Sequence, residues 1–174
     1  MPNIRRATRR DQDRVADLWA AFLEEQAARD ARFQPAEDAR ERFENDFPVW
    51  LDDETQRTFV AEEDEAGTLV GFATAHRWGT PPIQVEASEV FVDEFYVVPG
   101  ARRQGTGRRL AAALRDWAEE LEADRLRLRI LHANEAGHAF WQAIGGEAYA
   151  ATMTVELEPE EHEAEEPKRG RLGF

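Results

Sequence analysis

Val97-Val98-Pro99-Gly100-Ala101-Arg102-Arg103-Gln104-Gly105-Thr106-Gly107-Arg108 is the stretch on which the reading of this 174-residue chain turns. An apolar, strand-like run ends at Pro99-Gly100. A helical repeat then begins near residue 105, with Leu110, Leu114, Trp117 and Leu121 at spacings of 4, 3 and 4. Gly105 and Gly107 remove side chains where that helix starts, with Gln104 before them and Thr106 between them. N–H groups in the first turn of a helix have no partner within it, and the helix dipole favours an anion there. Arg102, Arg103 and Arg108 bring fixed positive charge into a chain of formal charge -14. The segment is therefore suited to a diphosphate. A Gly-x-Gly-x-x-Gly dinucleotide fingerprint is absent, and so is the Lys-Ser/Thr pair of a P-loop. An arginine-rich turn before an ordinary helix would look the same locally, so the flanking elements must decide.

Upstream, residues 3–7 read as a short strand. Thr8 with Asp11 three residues on reads as a helix start, and Val15, Leu18, Trp19 and Phe22 carry helical spacing to about residue 29. A second helix is expected from Pro35 to about Trp50. Residues 58–62 and 69–76 read as strands joined by the polar turn 63–67. Residues 78–83 hold Gly79, Pro81 and Pro82 and read as a loop, and 86–98 as a long strand. Beyond the 105–121 helix, 125–131 alternates Leu126, Leu128 and Ile130 with three arginines, which is strand periodicity. A short helix is expected over 134–144, stopped by Gly145-Gly146, and then a closing hairpin over 147–157. The order predicts one α+β (mixed α/β) domain over 1–157. Residues 158–174 are charged and aperiodic and read as a flexible acidic tail.

With these elements in place, Arg102-x-x-Gly105-x-Gly107 after a strand ending Phe95-Tyr96-Val97 resembles the acyl-CoA motif of the GNAT superfamily of N-acetyltransferases. A second block, Asn134 with Ala139-Phe140-Trp141 and Gly145, is similar to that family's Asn-x-x-x-x-Ala-Phe-Tyr-x-x-x-Gly run. The resemblance implies a GNAT-like fold: a mostly antiparallel twisted sheet, splayed at the acyl-CoA site, with helices on both faces. It implies acetyl-CoA as co-substrate. Phe95, Tyr96, Val97 and Val98 would lie along the pantetheine arm. Arg102, Arg103, Gln104, Gly105, Thr106, Gly107 and Arg108 would hold the diphosphate, with Asn134 and Trp141 beside the cofactor. The family usually has Tyr where this chain has Trp141, and that hydroxyl often protonates the leaving thiolate. An indole N–H donates a hydrogen bond but is no acid at useful pH. Water is then left to protonate the thiolate, or the chain is an acyl-CoA-binding regulatory module without catalysis.

An amine must be neutral to attack a thioester, so a base is needed. Asp93 and Glu94 precede Phe95-Tyr96-Val97, and the Asp93-Glu94-Phe95-Tyr96-Val97 run is similar to the acidic pair of polyamine acetyltransferases. The resemblance implies that the pair holds and deprotonates a cationic acceptor. Adjacent strand residues face opposite ways, so only one reaches a given cleft unless a bulge intervenes. Backbone N–H groups near Tyr96 and Val97 would polarise the thioester carbonyl. No Ser–His pair suggests a covalent acyl-enzyme. Glu24, Glu25, Asp30 and His76 are further candidates on the acceptor side.

Composition bounds the remainder. Without cysteine there is no disulfide, thiolate metal site or Cys nucleophile, and His132 and His138 lack a metal spacing, so no metal is expected. The negative charge disfavours nucleic acid and suits a cationic amine. No apolar run is long enough for a membrane, and the basic residues 1–10 lead into no signal-like core, so a cytoplasmic location is expected. The expected acceptor is a small cationic amine, with protein lysine or N-terminal acetylation as the variant. GNAT relatives are often homodimers, although no interface is legible in the sequence.

Overall fold

The computed structural model describes residues 1–63, 66–79 and 87–157. Five strands form one sheet in the order β1 (Asn3–Arg6), β2 (Gln56–Glu62), β3 (Leu69–Gly79), β4 (Ser88–Val97), β5 (Arg125–Leu128). The first three junctions are antiparallel and β4–β5 is parallel. Helices α1 (Gln12–Arg29) and α2 (Ala39–Asp52) cover one face, and α3 (Thr106–Glu120) covers the other. Helix α4 (Glu135–Gln142) follows β5.

Alternation in the central strands sorts the two cores. Phe72 of β3 turns toward α1, where it joins Val15, Leu18, Phe43 and Phe47. Ala73 and Ala75 turn the other way, toward Leu110, Leu114 and Trp117 of α3. Burying each large apolar side chain contributes about 1.5–3 kcal/mol.

The Thr8–Asp11 start is present as a reciprocal capping box on a short 3-10 turn ahead of α1. Asp11 is fully buried and accepts from both Arg5 nitrogens (2.8 and 2.9 Å), Arg14 (2.6 Å), and the Thr8 amide and hydroxyl (2.9 Å each). Arg5 also binds Glu62 at 2.9 Å, tying β1, β2 and the start of α1 together. The Arg5 guanidinium holds the Asp11 carboxyl well below the usual carboxylate range.

Several sequence expectations need correction. Helix α2 begins at Ala39, four residues after Pro35, and β5 ends at Leu128 rather than near Leu131. The closing hairpin over 147–157 is absent. The stretch has no regular structure, and Tyr149, Met153, Val155 and Leu157 are exposed. Alternation alone does not make a strand when no neighbour accepts its hydrogen bonds. The expected loop runs partly as β3, which extends to Gly79, and its remainder lies outside the described residues, as do part of the 63–67 turn and the expected tail 158–174.

Candidate active site

Strands β4 and β5 pair only from Glu89↔Arg125 to Val92↔Leu128. Strand β4 continues on β3 as far as Gly71↔Val97, so among the described residues no strand pairs with its outer edge beyond Val92. The Val98 N–H donates to the Val70 carbonyl at 2.9 Å. Backbone alternation therefore turns the peptide groups of Phe95 and Val97 away from β3, into the gap. The Phe95 N–H and carbonyl and the Val97 N–H can pair with an extended amide-bearing chain as a missing strand would.

The gap ends at the start of α3. Pro99–Ala101 form a 3-10 turn, Arg103 has φ 62° and Gly105 has φ 86°. Gly105 meets no atom within 4 Å of a notional Cβ, so its left-handed backbone alone calls for glycine. Gly107 has the other reason. A Cβ there would sit 3.2 Å from Phe140 and 3.7 Å from Phe95. The first bond of α3 runs from the Arg109 N–H to the Gly105 carbonyl at 3.1 Å, leaving the amides of 106–108 without intrahelical acceptors. Arg103, Gln104 and Arg108 are exposed around this turn, and Thr106 is buried beneath it. This cradle fits an anion, and the open edge of β4 leads directly into it.

Arg102 is held differently from the other arginines. Its Nε donates to the Val97 carbonyl at 2.7 Å, its terminal nitrogen pairs with Glu25 at 2.5 Å, and its guanidinium lies 5.5 Å from the Tyr96 ring centre. The Tyr96 hydroxyl donates to the same Glu25 at 3.2 Å. Burial pulls the Glu25 pKa up, but Arg102 and Arg29 outweigh it and leave a net lowering. Glu25 is thus committed to the protein itself and is not free to meet an acceptor. Asp30 caps the 3-10 turn Ala31–Phe33 and binds Arg32, while Glu24 is simply exposed.

The second block packs behind the loop. The Asn134 side chain accepts from the Gly137 N–H at 3.0 Å and so caps α4. Phe140 stacks on Phe95 at 5.4 Å, and Trp141 meets Phe95 edge-on at 5.1 Å. A cavity of about 330 Å³ beside Trp141, Leu126 and Leu128 lies on this side of the sheet, away from the acidic pair.

The acidic pair sits on the α1 side because of a bulge. Thr74 pairs with Glu94 and Ala75 with Val92, so Asp93 is an extra residue. Val90 and Val92 face α3, whereas Tyr96 faces α1. The bulge therefore brings Asp93 and Glu94 to one face. Glu94 accepts from the Thr74 hydroxyl and lies 3.5 Å from the Trp19 indole nitrogen. Asp93 lies 2.7 Å from His76 Nδ1. Burial raises both carboxyls above their ordinary values, opposed at Asp93 by His76 and at Glu94 by Thr74. Among the described residues, no group of His, Asp or Glu is arranged to hold a metal ion. No helix among them is long and apolar enough to cross a membrane.

Residues 17–145 match the family model described as Acetyltransferase (GNAT) family. Curated protein sequences give no match. Among solved structures, a mutant of the BH1408 protein from Bacillus halodurans has a TM-score of 0.79 at 22% identity, covering 90% of this chain and 99% of that one. AAC(6')-Iy bound to the bisubstrate analogue CoA-S-monomethyl-acetylneamine has a TM-score of 0.72 at 18% identity, covering 91% and 99%. A ribosomal-protein-alanine N-acetyltransferase from Brucella melitensis biovar Abortus 2308 has a TM-score of 0.62 at 22% identity, covering 90% and 100%. At these identities the likeness speaks for the fold.

Proposed function

The chain belongs to the GNAT acetyltransferase family and is an acyltransferase, and from that premise we propose that it acetylates a small cationic amine by direct attack on acetyl-CoA. One observation carries the proposal: β4 leaves β5 after Val92 and runs, with its outer edge open, into the glycine-marked start of α3. The Phe95 peptide groups and the Val97 N–H would pair with the pantetheine amides. The 106–108 amides, with Arg103 and Arg108, would hold the diphosphate. Tyr96, Val98, Gln104 and Gly105 shape the path between them, and Asn134 and Trp141 support it from α4.

On the α1 face the Asp93–Glu94 bulge supplies negative charge where a cationic acceptor would enter. The pair draws in the ammonium form and gives its proton a destination, directly or through water. The freed amine attacks the thioester carbonyl, polarised by a β4 amide. Trp141 donates no proton, so the leaving thiolate takes its proton from the attacking nitrogen or from water.

The test is thiol release from acetyl-CoA with a panel of diamines, polyamines, aminoglycosides and amino-acid amides. The reading requires acceptor-dependent release with at least one amine. Tight CoA binding with no release from any of them would contradict it.

A further inference from the structure

The acidic bulge has a third member. Thr74 and His76 are two residues apart on β3, so they share the face that Phe72 turns to α1. His76 pairs with Phe91 across the β3–β4 junction, and Asp93 lies on the same side. The His76 Nδ1 and Asp93 carboxylate oxygen are 2.7 Å apart. An ionised carboxylate only accepts, so the neutral imidazole carries its proton on Nδ1 and keeps a lone pair on Nε2. Nδ1 is thereby committed to Asp93, which leaves Nε2 as the ring's acceptor. Trp78 and Phe91 pack against the ring, each with its centre 5.6 Å away, and fix its plane.

The two carboxylates are less available than the imidazole. Glu94 is engaged by Thr74 and Trp19, and Asp93 by His76. We propose that His76 Nε2 receives the acceptor's proton and that Asp93 acts as its positioning residue. This rests on the transferase reading above and names the base within it. The ammonium nitrogen gives one proton to the Nε2 lone pair. Its own lone pair then forms the C–N bond as the C–S bond breaks, and the nitrogen's second proton ends on the departing thiolate, directly or through water.

The charges around the ring suit this role. Asp93 and Glu94 are the carboxylates that share the ring's face of the sheet. Arg129 is the opposing cation, with its guanidinium 5.5 Å from the Phe91 ring centre and near enough to stabilise the Asp93 carboxylate. From β2 the neighbour is the neutral Gln56, directed to Asp53.

The experiment measures kcat/KM against pH for wild type, His76→Gln, His76→Ala and Asp93→Asn, using the amine of the panel that wild type turns over best. His76→Gln should lose about 100-fold and the acid limb of the profile, with CoA affinity within twofold of wild type. Asp93→Asn should lose about tenfold with CoA affinity within twofold of wild type, and should weaken the Nδ1–H preference of His76 read by nitrogen NMR. Added imidazole should restore His76→Ala by tenfold or more. If His76→Gln does not fold, nitrogen NMR of the wild type decides: the account requires the Nδ1–H tautomer of His76, and an Nε2–H tautomer overturns it. His76→Gln turning over within threefold of wild type, with an unchanged limb, removes this proposal and leaves the transferase reading intact. Wild type inert toward every amine removes both.

Discussion

Gly107 separates two reasons for a glycine in a ligand loop. Its missing Cβ points inward, 3.2 and 3.4 Å from two atoms of the Phe140 ring and 3.7 Å from Phe95. Alanine there asks the Phe140 ring to give by a few tenths of an ångström, at the low end of overpacking, about 1 kcal/mol. It gains a comparable amount, roughly 0.5–1 kcal/mol, because alanine is a better helix residue than glycine. The two effects nearly cancel, so Gly107→Ala should match wild type within about 0.5 kcal/mol and bind CoA normally. Valine adds two methyl groups at the same place and cannot keep both clear of Phe140. Gly107→Val should lose about 2 kcal/mol, a fall in Tm of roughly 4–8 °C for a chain of this size. Thermal unfolding and calorimetric CoA titration of both variants are the assays. Gly107→Val as stable as wild type would refute the packing of α4 on α3. A folded Gly107→Ala that no longer binds CoA would show that the glycine leaves room for ligand instead.

Three further predictions follow from the electrostatics. The raised Glu94 carboxyl keeps its proton longer folded than unfolded, so it removes stability as pH rises from its ordinary 4.5 through the folded value. Glu94→Gln should therefore have a higher Tm than wild type at pH 7, while kcat/KM drops about tenfold because the acceptor's ammonium loses one of the two negative charges that draw it in. Asp11 has the opposite sign: its lowered pKa stabilises the fold above the ordinary 3.8, and the increment is lost as pH falls through the folded value. Asp11→Ala removes the capping carboxylate and leaves Arg5 with Glu62 alone, and should cost about 2 kcal/mol, a Tm loss of roughly 4–8 °C. Arg103→Ala should weaken CoA by about fivefold, roughly 1 kcal/mol, and flatten the salt dependence of binding, as read by titration at two ionic strengths.

Much of the site was legible because its chemistry is local. Gly105 and Gly107 mark the helix start in the sequence, and both have structural reasons to be glycine. What sequence order hides is lateral. The bulge at Asp93 inserts one residue without any change in composition, yet it decides that Asp93 and Glu94 share a face. The Asp93–His76 contact joins residues 17 apart, and no spacing rule for a single strand brings them together. Glu25 looked available for an acceptor on the surface of α1, but Arg102 and Tyr96, more than 70 residues away, engage it. The 147–157 run shows how far periodicity reaches: its alternation is present, but no ladder forms there.

Backbone amide NMR during titration with coenzyme A addresses the central claim most directly. The account predicts saturable shifts at Phe95, Val97 and the amides of 106–108, with those of β1 unmoved. Absence of shifts at millimolar coenzyme A, or shifts confined to residues remote from β4 and the start of α3, would contradict it.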